Sequence, residues 1–309
     1  MAFALVFPGQ GSQSVGMMAG FGDLPVIRQT FEEASAALGE DLWEMVVNGP
    51  AERLAQTVNT QPLMLTAGVA TYRAWRESGG AEPALVAGHS LGEYSALVAA
   101  GALKFVDAIP LVRLRAKAMQ EAVPVGEGAM AALLGLDVDA VREACMEAAE
   151  GQIVDAANLN APGQIVIAGN KAAVERAVEI ARRKGAKRAV LLPVSAPFHC
   201  ALMRPAGARL AEQLEQVEIY KPEIPVLNNV DVAICDAPEK IRDALIRQTW
   251  SPVRWIEIIQ QMEARGMSAV IECGPGKVLA GMTKRISKDI QSGSIYDAAS
   301  LEQSISMVK

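Results

Sequence analysis

The run Gly88-His89-Ser90-Leu91-Gly92 constrains this chain more than any other feature. A short apolar stretch, Ala84-Leu85-Val86-Ala87, leads into it, and an Ala- and Leu-rich stretch, 92–100, follows it and ends at Gly101. Strand, glycine-flanked serine and helix in immediate succession form the setting in which a G-x-S-x-G turn lifts a hydroxyl above a sheet edge. The helix behind that turn offers free N–H groups and a positive dipole end to an oxyanion forming at the serine. A chain rich in Gly and Ala can produce the pattern by chance, but the strand before it and the helix after it argue otherwise. Ser90 therefore reads as an activated nucleophile.

The rest of the chain fits a parallel sheet covered by helices. Residues 3–7 read as a buried strand, punctuated by Pro8-Gly9-Gln10-Gly11-Ser12. Helical patterns follow at 25–38, 61–78 and 106–122. From Gly128 the rhythm changes to strand 129–136, helix 138–149, strands 153–159 and 164–168, helix 171–184 and strand 188–192. That β-α-β-β-α-β order is the ferredoxin-like motif. The expected organisation is a large α/β subdomain of residues 1–126 and 196–309, interrupted by a small ferredoxin-like subdomain of residues 127–195. Core strands return at 225–227 and 269–271, and the tail after Lys288 gives no signal.

Composition narrows the function. With 51% hydrophobic and 21% charged residues in 309, a sizeable packed core is expected and disorder is not. No apolar run approaches the ~18 residues of a membrane span. The apolar start lacks a basic flank and meets Pro8 at once, so it reads as a strand and not as a signal peptide. Four cysteines without a C-x-x-C pair suit a reducing, cytoplasmic setting and argue against a zinc site or a disulfide framework. A net charge of −6 leaves no overall field to attract nucleic acid.

The chain has only two histidines, His89 and His199. His89 sits inside the elbow, where its ring should point away from the hydroxyl and pack or hydrogen-bond beneath the turn. His199, in Ser195-Ala196-Pro197-Phe198-His199, is left as the base that a serine nucleophile requires. No acidic partner for it stands out. Asp107, Asp137, Asp139 and Asp155 lie between Ser90 and His199 without distinctive context, and Asp137 and Asp139 look like a helix cap. A main-chain carbonyl would orient the imidazole equally well. Gly9-Gln10-Gly11 is not a dinucleotide or phosphate loop, because Ser14 replaces the third glycine and no Gly-Lys-Ser/Thr exists.

Pro8-Gly9-Gln10-Gly11-Ser12-Gln13, Gly88-His89-Ser90-Leu91-Gly92-Glu93-Tyr94, Arg115 and Phe198-His199 together resemble the malonyl-CoA:acyl carrier protein transacylase family. Asn158-Leu159-Asn160-Ala161-Pro162-Gly163-Gln164 and Glu272-Cys273-Gly274-Pro275-Gly276 extend the likeness over nearly the whole chain. The resemblance implies an α/β-hydrolase-like core with a ferredoxin-like insertion. It also implies ping-pong transfer of malonyl from coenzyme A to the phosphopantetheine thiol of acyl carrier protein, feeding fatty-acid synthesis. Coenzyme A enters as a thioester substrate, so no cofactor is implied.

Carried onto this sequence, the resemblance makes Ser90 the nucleophile and His199 the base. The N–H groups of Leu91 and Gln10 become the oxyanion hole, and the main-chain carbonyl around Gln248 orients His199. Arg115 grips the malonyl carboxylate, with Gln248, His89 and Asn160 also on the substrate side. Without the resemblance Arg115 reads as a solvated arginine. A guanidinium is nonetheless suited to a partly buried carboxylate, which it binds bidentately without losing charge. Phe198 before His199 resembles the malonyl-type pocket of related synthase domains.

For the acidic carrier, Arg182, Arg183, Lys187 and Arg188 make the densest basic run, either a docking patch or a solvated helix end. A monomer without membrane or nucleic-acid partners is expected. The rivals are a serine hydrolase, which a carboxylate on His199 would favour, and a carrier-binding scaffold with a degenerate site.

Overall fold

The computed structural model describes residues 1–309. Strands β1 (Phe3–Phe7) and β2 (Leu85–Gly88) open a core sheet. Strands β3 (Gly128–Leu134), β4 (Val154–Ala161), β5 (Gln164–Asn170) and β6 (Arg188–Leu191) form a second sheet. Strands β7 (Val226–Leu227), β8 (Ala269–Cys273) and β9 (Gln291–Ile295) return to the first.

The core sheet runs β7-β2-β1-β8-β9, with every pairing parallel. Central parallel strands are covered on both faces, which is why β1 reads Phe-Ala-Leu-Val-Phe without polar alternation and is buried throughout. The registers Phe7↔Gly88 and Val6↔Glu272 bring the carboxyl ends of β1, β2 and β8 side by side. The Pro8–Ser12 loop, the Ser90 turn and the Gly274-Pro275-Gly276 turn therefore meet at one edge, the usual ligand position in open α/β sheets.

The second sheet runs β4-β5-β3-β6, all antiparallel, the strand order of a ferredoxin-like unit. Helices Val138–Ala149 and Lys171–Arg183 pack on one face through Val141, Ala144, Val174 and Ala177. The other face turns Met130, Val166 and Ala168 toward Cys200, beside His199. The core sheet and this unit are stitched together by main-chain bonds between β4 and Val253 and by Arg285, which donates to the Pro162 carbonyl at 2.9 Å.

The structure adds helices that the sequence reading leaves out, among them Leu42–Asn48, Arg204–Leu214, Pro238–Gln248 and Trp255–Ala264, and it departs from that reading further. The helix expected over 61–78 spans Thr57–Glu77 and continues through Pro62. Burial of this helix on nearly all sides outweighs the hydrogen bond that Pro62 cannot make. The tail carries β9 and a final helix, Ala298–Val308, capped reciprocally by Asp297 and Ser300.

Candidate active site

The elbow is shaped by what glycine lacks. A Cβ on Gly88 would lie 1.8 Å from the carbonyl carbon of Gly92, and one on Gly92 would lie 2.0 Å from the carbonyl oxygen of Phe7. A Cβ on Gly9 would come within 2.5 Å of the His89 carbonyl oxygen, so the Pro8–Ser12 loop also presses on the turn. Ser90 itself is held at φ 53°, the left-handed region that ordinary residues avoid. Asn229, fully buried, accepts from the Ser90 N–H at 2.7 Å and donates to the Gly88 carbonyl at 2.7 Å. The Gln248 amide donates to the Ser90 carbonyl at 3.0 Å.

Ser90 Oγ lies 2.7 Å from His199 Nε2. His199 Nδ1 lies 2.9 Å from the main-chain oxygen of Gln248, an acceptor only, so Nδ1 carries the proton and Nε2 is free to accept. That carbonyl is available for a legible reason. Gln248 ends helix Pro238–Gln248, and the residue four positions on is Pro252, which has no N–H to offer. Burial, with the neighbouring Arg115 cation, holds His199 down to about 3, so the imidazole is neutral at physiological pH.

None of the four aspartates bonds to His199. Asp137 caps helix Val138–Ala149, accepting from Ala140 N at 2.8 Å, and Asp139 faces Arg142 at 3.6 Å. Asp155 accepts from Ala201 N at 3.1 Å, and Asp107 lies in the first turn of helix Phe105–Glu121.

Arg115 is the main correction to a plain reading of the residues. It is not solvated but 1% exposed, deep in helix Phe105–Glu121. Its Nη1 donates to Gln61 Oε1 at 2.7 Å, and Nη2 donates to Gln248 Oε1 at 2.9 Å and to Ser90 Oγ at 3.2 Å. The ring of Tyr94 lies under the guanidinium at 5.4 Å. No carboxylate comes within ion-pair distance of Arg115. A buried cation with no carboxylate in contact is costly, and with Glu93 reaching it only across Gln248 the site points to an anion supplied from outside.

The cleft above Ser90 has a volume of about 270 Å³ and is walled by both sheets' segments. Gln10, Leu91 and Arg115 line it from one side, and Met130, Asn160 and Val166 from the other. The N–H groups of Leu91 and Gln10 donate to no acceptor in the protein. The Gln10 side chain turns aside to Thr57 Oγ1 at 3.3 Å. His89 points away from the hydroxyl: its Nε2 meets Asn160 Oδ1 at 2.8 Å and its ring lies 5.5 Å from that of Trp255. Sequence reasoning does not single out Gln61, Glu93 or Asn229. Of the three, only Glu93, a carboxylate beside the elbow in Gly92-Glu93-Tyr94, carries a sequence signal.

The basic run is largely neutralised in place. Arg182 pairs with Glu179, Arg183 with Glu147 at 3.6 Å, and the intervening Lys184 with Glu143 at 3.3 Å. Lys187 and Arg188 are exposed and make no ion pair.

A parallel α/β sheet with an elbow serine bonded to histidine and a buried arginine defines an acyltransferase. The acyl transferase domain family matches residues 4–303. The chain is 53% identical over 306 residues to the malonyl CoA-acyl carrier protein transacylase of Escherichia coli (strain K12), covering 99% of each. Over 308 residues it is 45% identical to that of Bacillus subtilis (strain 168), covering 99% of this chain and 97% of the relative.

Among solved structures, an acyl-carrier-protein S-malonyltransferase from Burkholderia pseudomallei 1710b superposes with a TM-score of 0.98 at 58% identity, covering 99% of this chain and 100% of the other. A malonyl-transacylase in complex with a holo type II PKS acyl-carrier protein gives a TM-score of 0.98 at 52% identity with the same coverage. The chain belongs to the malonyl CoA-acyl carrier protein transacylase family. No helix is long and apolar enough to cross a membrane.

Proposed function

We propose that this enzyme moves malonyl from coenzyme A to the phosphopantetheine thiol of an acyl carrier protein, by way of a malonyl ester on Ser90, and so feeds fatty-acid synthesis. The observation that carries this reading is Arg115, a buried cation with no carboxylate partner, 3.2 Å from the reacting hydroxyl. A short acyl group bearing its own carboxylate fits that gap. The guanidinium then also sets where the thioester carbonyl lies.

Ser90 Oγ attacks the thioester carbonyl while His199 Nε2 takes its proton. Leu91 and Gln10 N–H groups receive the oxyanion. The C–S bond breaks, the Oγ–C bond remains, and the coenzyme A sulfur leaves with the proton from His199. The second half reverses these steps with the carrier thiol, which gives its proton to His199 before the Ser90 ester breaks. Acyl exchange between sulfur and oxygen is redox-neutral, and the step needs no cofactor. His89 and Asn160 brace the cleft wall beside the acyl group. Lys187 and Arg188 are the cations left free to meet an acidic carrier, at the start of the strand that runs on to Leu192 in the cleft. The four unpaired cysteines suit the cytoplasm.

Intact-mass analysis after mixing with malonyl-, methylmalonyl- and acetyl-CoA tests the reading. The expected result is a malonyl adduct on Ser90 that persists until holo acyl carrier protein is added. Rapid release of free malonate would make the protein a hydrolase, and the absence of any adduct would make it a scaffold.

A further inference from the structure

Glu93 takes part in none of the steps above, yet it is 2% exposed and lies one turn from the nucleophile. Its Oε2 accepts from the side-chain amide of Gln248 at 2.8 Å and from the main-chain N–H of Asn229 at 3.0 Å. These two residues are the ones that hold the strained elbow: Asn229 takes the Ser90 N–H and Gln248 takes the Ser90 carbonyl.

The Gln248 amide has two orientations that differ only in exchange of oxygen and nitrogen. In the one present, Oε1 faces the Arg115 guanidinium and Nε2 faces two acceptors, Glu93 Oε2 and Ser90 O. Rotated by half a turn, oxygen would meet those acceptors and the NH₂ would meet the donors of Arg115. A second acceptor on the elbow side, fixed by the N–H of Asn229, makes the productive orientation strongly preferred. Arg115 then has a defined acceptor for Nη2, which keeps it within reach of both Gln61 and the acyl group over Ser90.

We infer that Glu93 is a positioning residue, acting through Gln248 on Arg115 and through Asn229 on Ser90. This rests on the reading of Arg115 as the malonyl-carboxylate site. The role needs an acceptor at Oε2. A glutamine presenting its oxygen there should therefore replace Glu93, and an isosteric apolar residue should not.

The test compares Glu93→Leu, Glu93→Gln and the parent for kcat/KM on malonyl-CoA and acetyl-CoA, with thermal unfolding run on each. Glu93→Leu is expected to lose tenfold to a hundredfold on malonyl-CoA and much less on acetyl-CoA, with Glu93→Gln recovering to within a few-fold of the parent. A Glu93→Leu enzyme with the parental malonyl-to-acetyl ratio would overturn the inference, as would equal damage from Leu and Gln. Should Glu93→Leu not fold, Glu93→Thr, too short to reach the Gln248 amide, is read by the same ratio. Arg115→Ala is measured alongside. If it keeps the malonyl preference, the parent reading has failed. If it loses the preference while the Glu93 variants do not, only the inference has failed.

Discussion

The Nη2 of Arg115 lies 3.2 Å from the Oγ of Ser90, and no carboxylate touches the guanidinium, Glu93 acting on it across Gln248. Burial pulls the guanidinium down from its ordinary value, and Gln61 and Gln248 give it neutral acceptors only. On the proposed function, the carboxylate of the acyl group supplies the charge that these neutral acceptors do not.

Arg115→Ala removes one side of that pairing. Truncating one partner of a buried charge pair costs about 2–5 kcal/mol, or roughly thirtyfold to several thousandfold in rate. Malonyl-CoA kcat/KM should drop by that range while acetyl-CoA gains in relative activity. Steady-state kinetics on both thioesters decide it, and an unchanged acyl preference would remove Arg115 from its role.

His199 gives a pH signature. Because burial holds it at about 3, against an ordinary 6.5, it stays unprotonated well into the acid range. The acid limb of kcat/KM for malonyl-CoA should then fall well below the usual histidine value. A limb centred near that value would show that His199 is solvated in the working enzyme.

Glu272 gives a pH signature in stability. Burial raises its carboxyl to about 7 from an ordinary 4.5, while its Oε2 accepts the Ala280 N–H at 2.9 Å. The folded state keeps a proton that the unfolded chain gives up, so this contribution is full below 4.5 and is lost as pH rises through about 7. Glu272→Gln, which cannot ionise, should narrow the drop in Tm between about pH 5 and about pH 8. A variant whose Tm falls as steeply as the parent's over that range would refute the assignment.

The elbow, the β-α-β-β-α-β insertion and the Ser90–His199 pair were legible because each follows from local rules: glycine spacing, hydrophobic period, and a scarcity of histidine. The second half of the site was not. Gln61, Asn229 and Glu93 come from three separated segments, and nothing local marks a glutamine or asparagine that will be buried against a distant backbone. Arg115 looked like any cation on a basic helix, since burial is a property of the packing. Strand β9, Gln-Ser-Gly-Ser-Ile, pairs only at the sheet edge and carries no apolar run to reveal it. Pro252, which frees the Gln248 carbonyl for His199, was a signal in plain view.

The elbow glycines make a sharper prediction than conservation of type would. A methyl on Gly92 would sit 2.0 Å from the carbonyl oxygen of Phe7, which is main chain of the central strand and cannot turn away. Overpacking of a well-filled core typically costs about 1–3 kcal/mol, and here the backbone has to move. Gly92→Ala should lower stability by about 3 kcal/mol in denaturant unfolding and reduce acylation of Ser90 as the turn shifts.

Reversal of charge on the basic run separates docking from decoration. Arg183 lies 3.6 Å from Glu147, so Arg183→Glu would set two carboxylates against each other and mix a local repulsion into any docking readout. Lys187 and Arg188 have no carboxylate partner. Gly135 leaves room for the Lys187 stem, since a Cβ on that glycine would lie 2.8 Å from Lys187 Cγ. Rim charges act mainly on encounter with an oppositely charged partner. The double variant Lys187→Glu with Arg188→Glu should raise the KM for acyl carrier protein several-fold and leave that for malonyl-CoA unchanged. The effect should shrink as salt is added, because exposed charges are screened over about 8 Å at physiological ionic strength. Equal changes in both KM values would mean that these cations serve the thioester or the fold, and that the carrier approaches the cleft from another side.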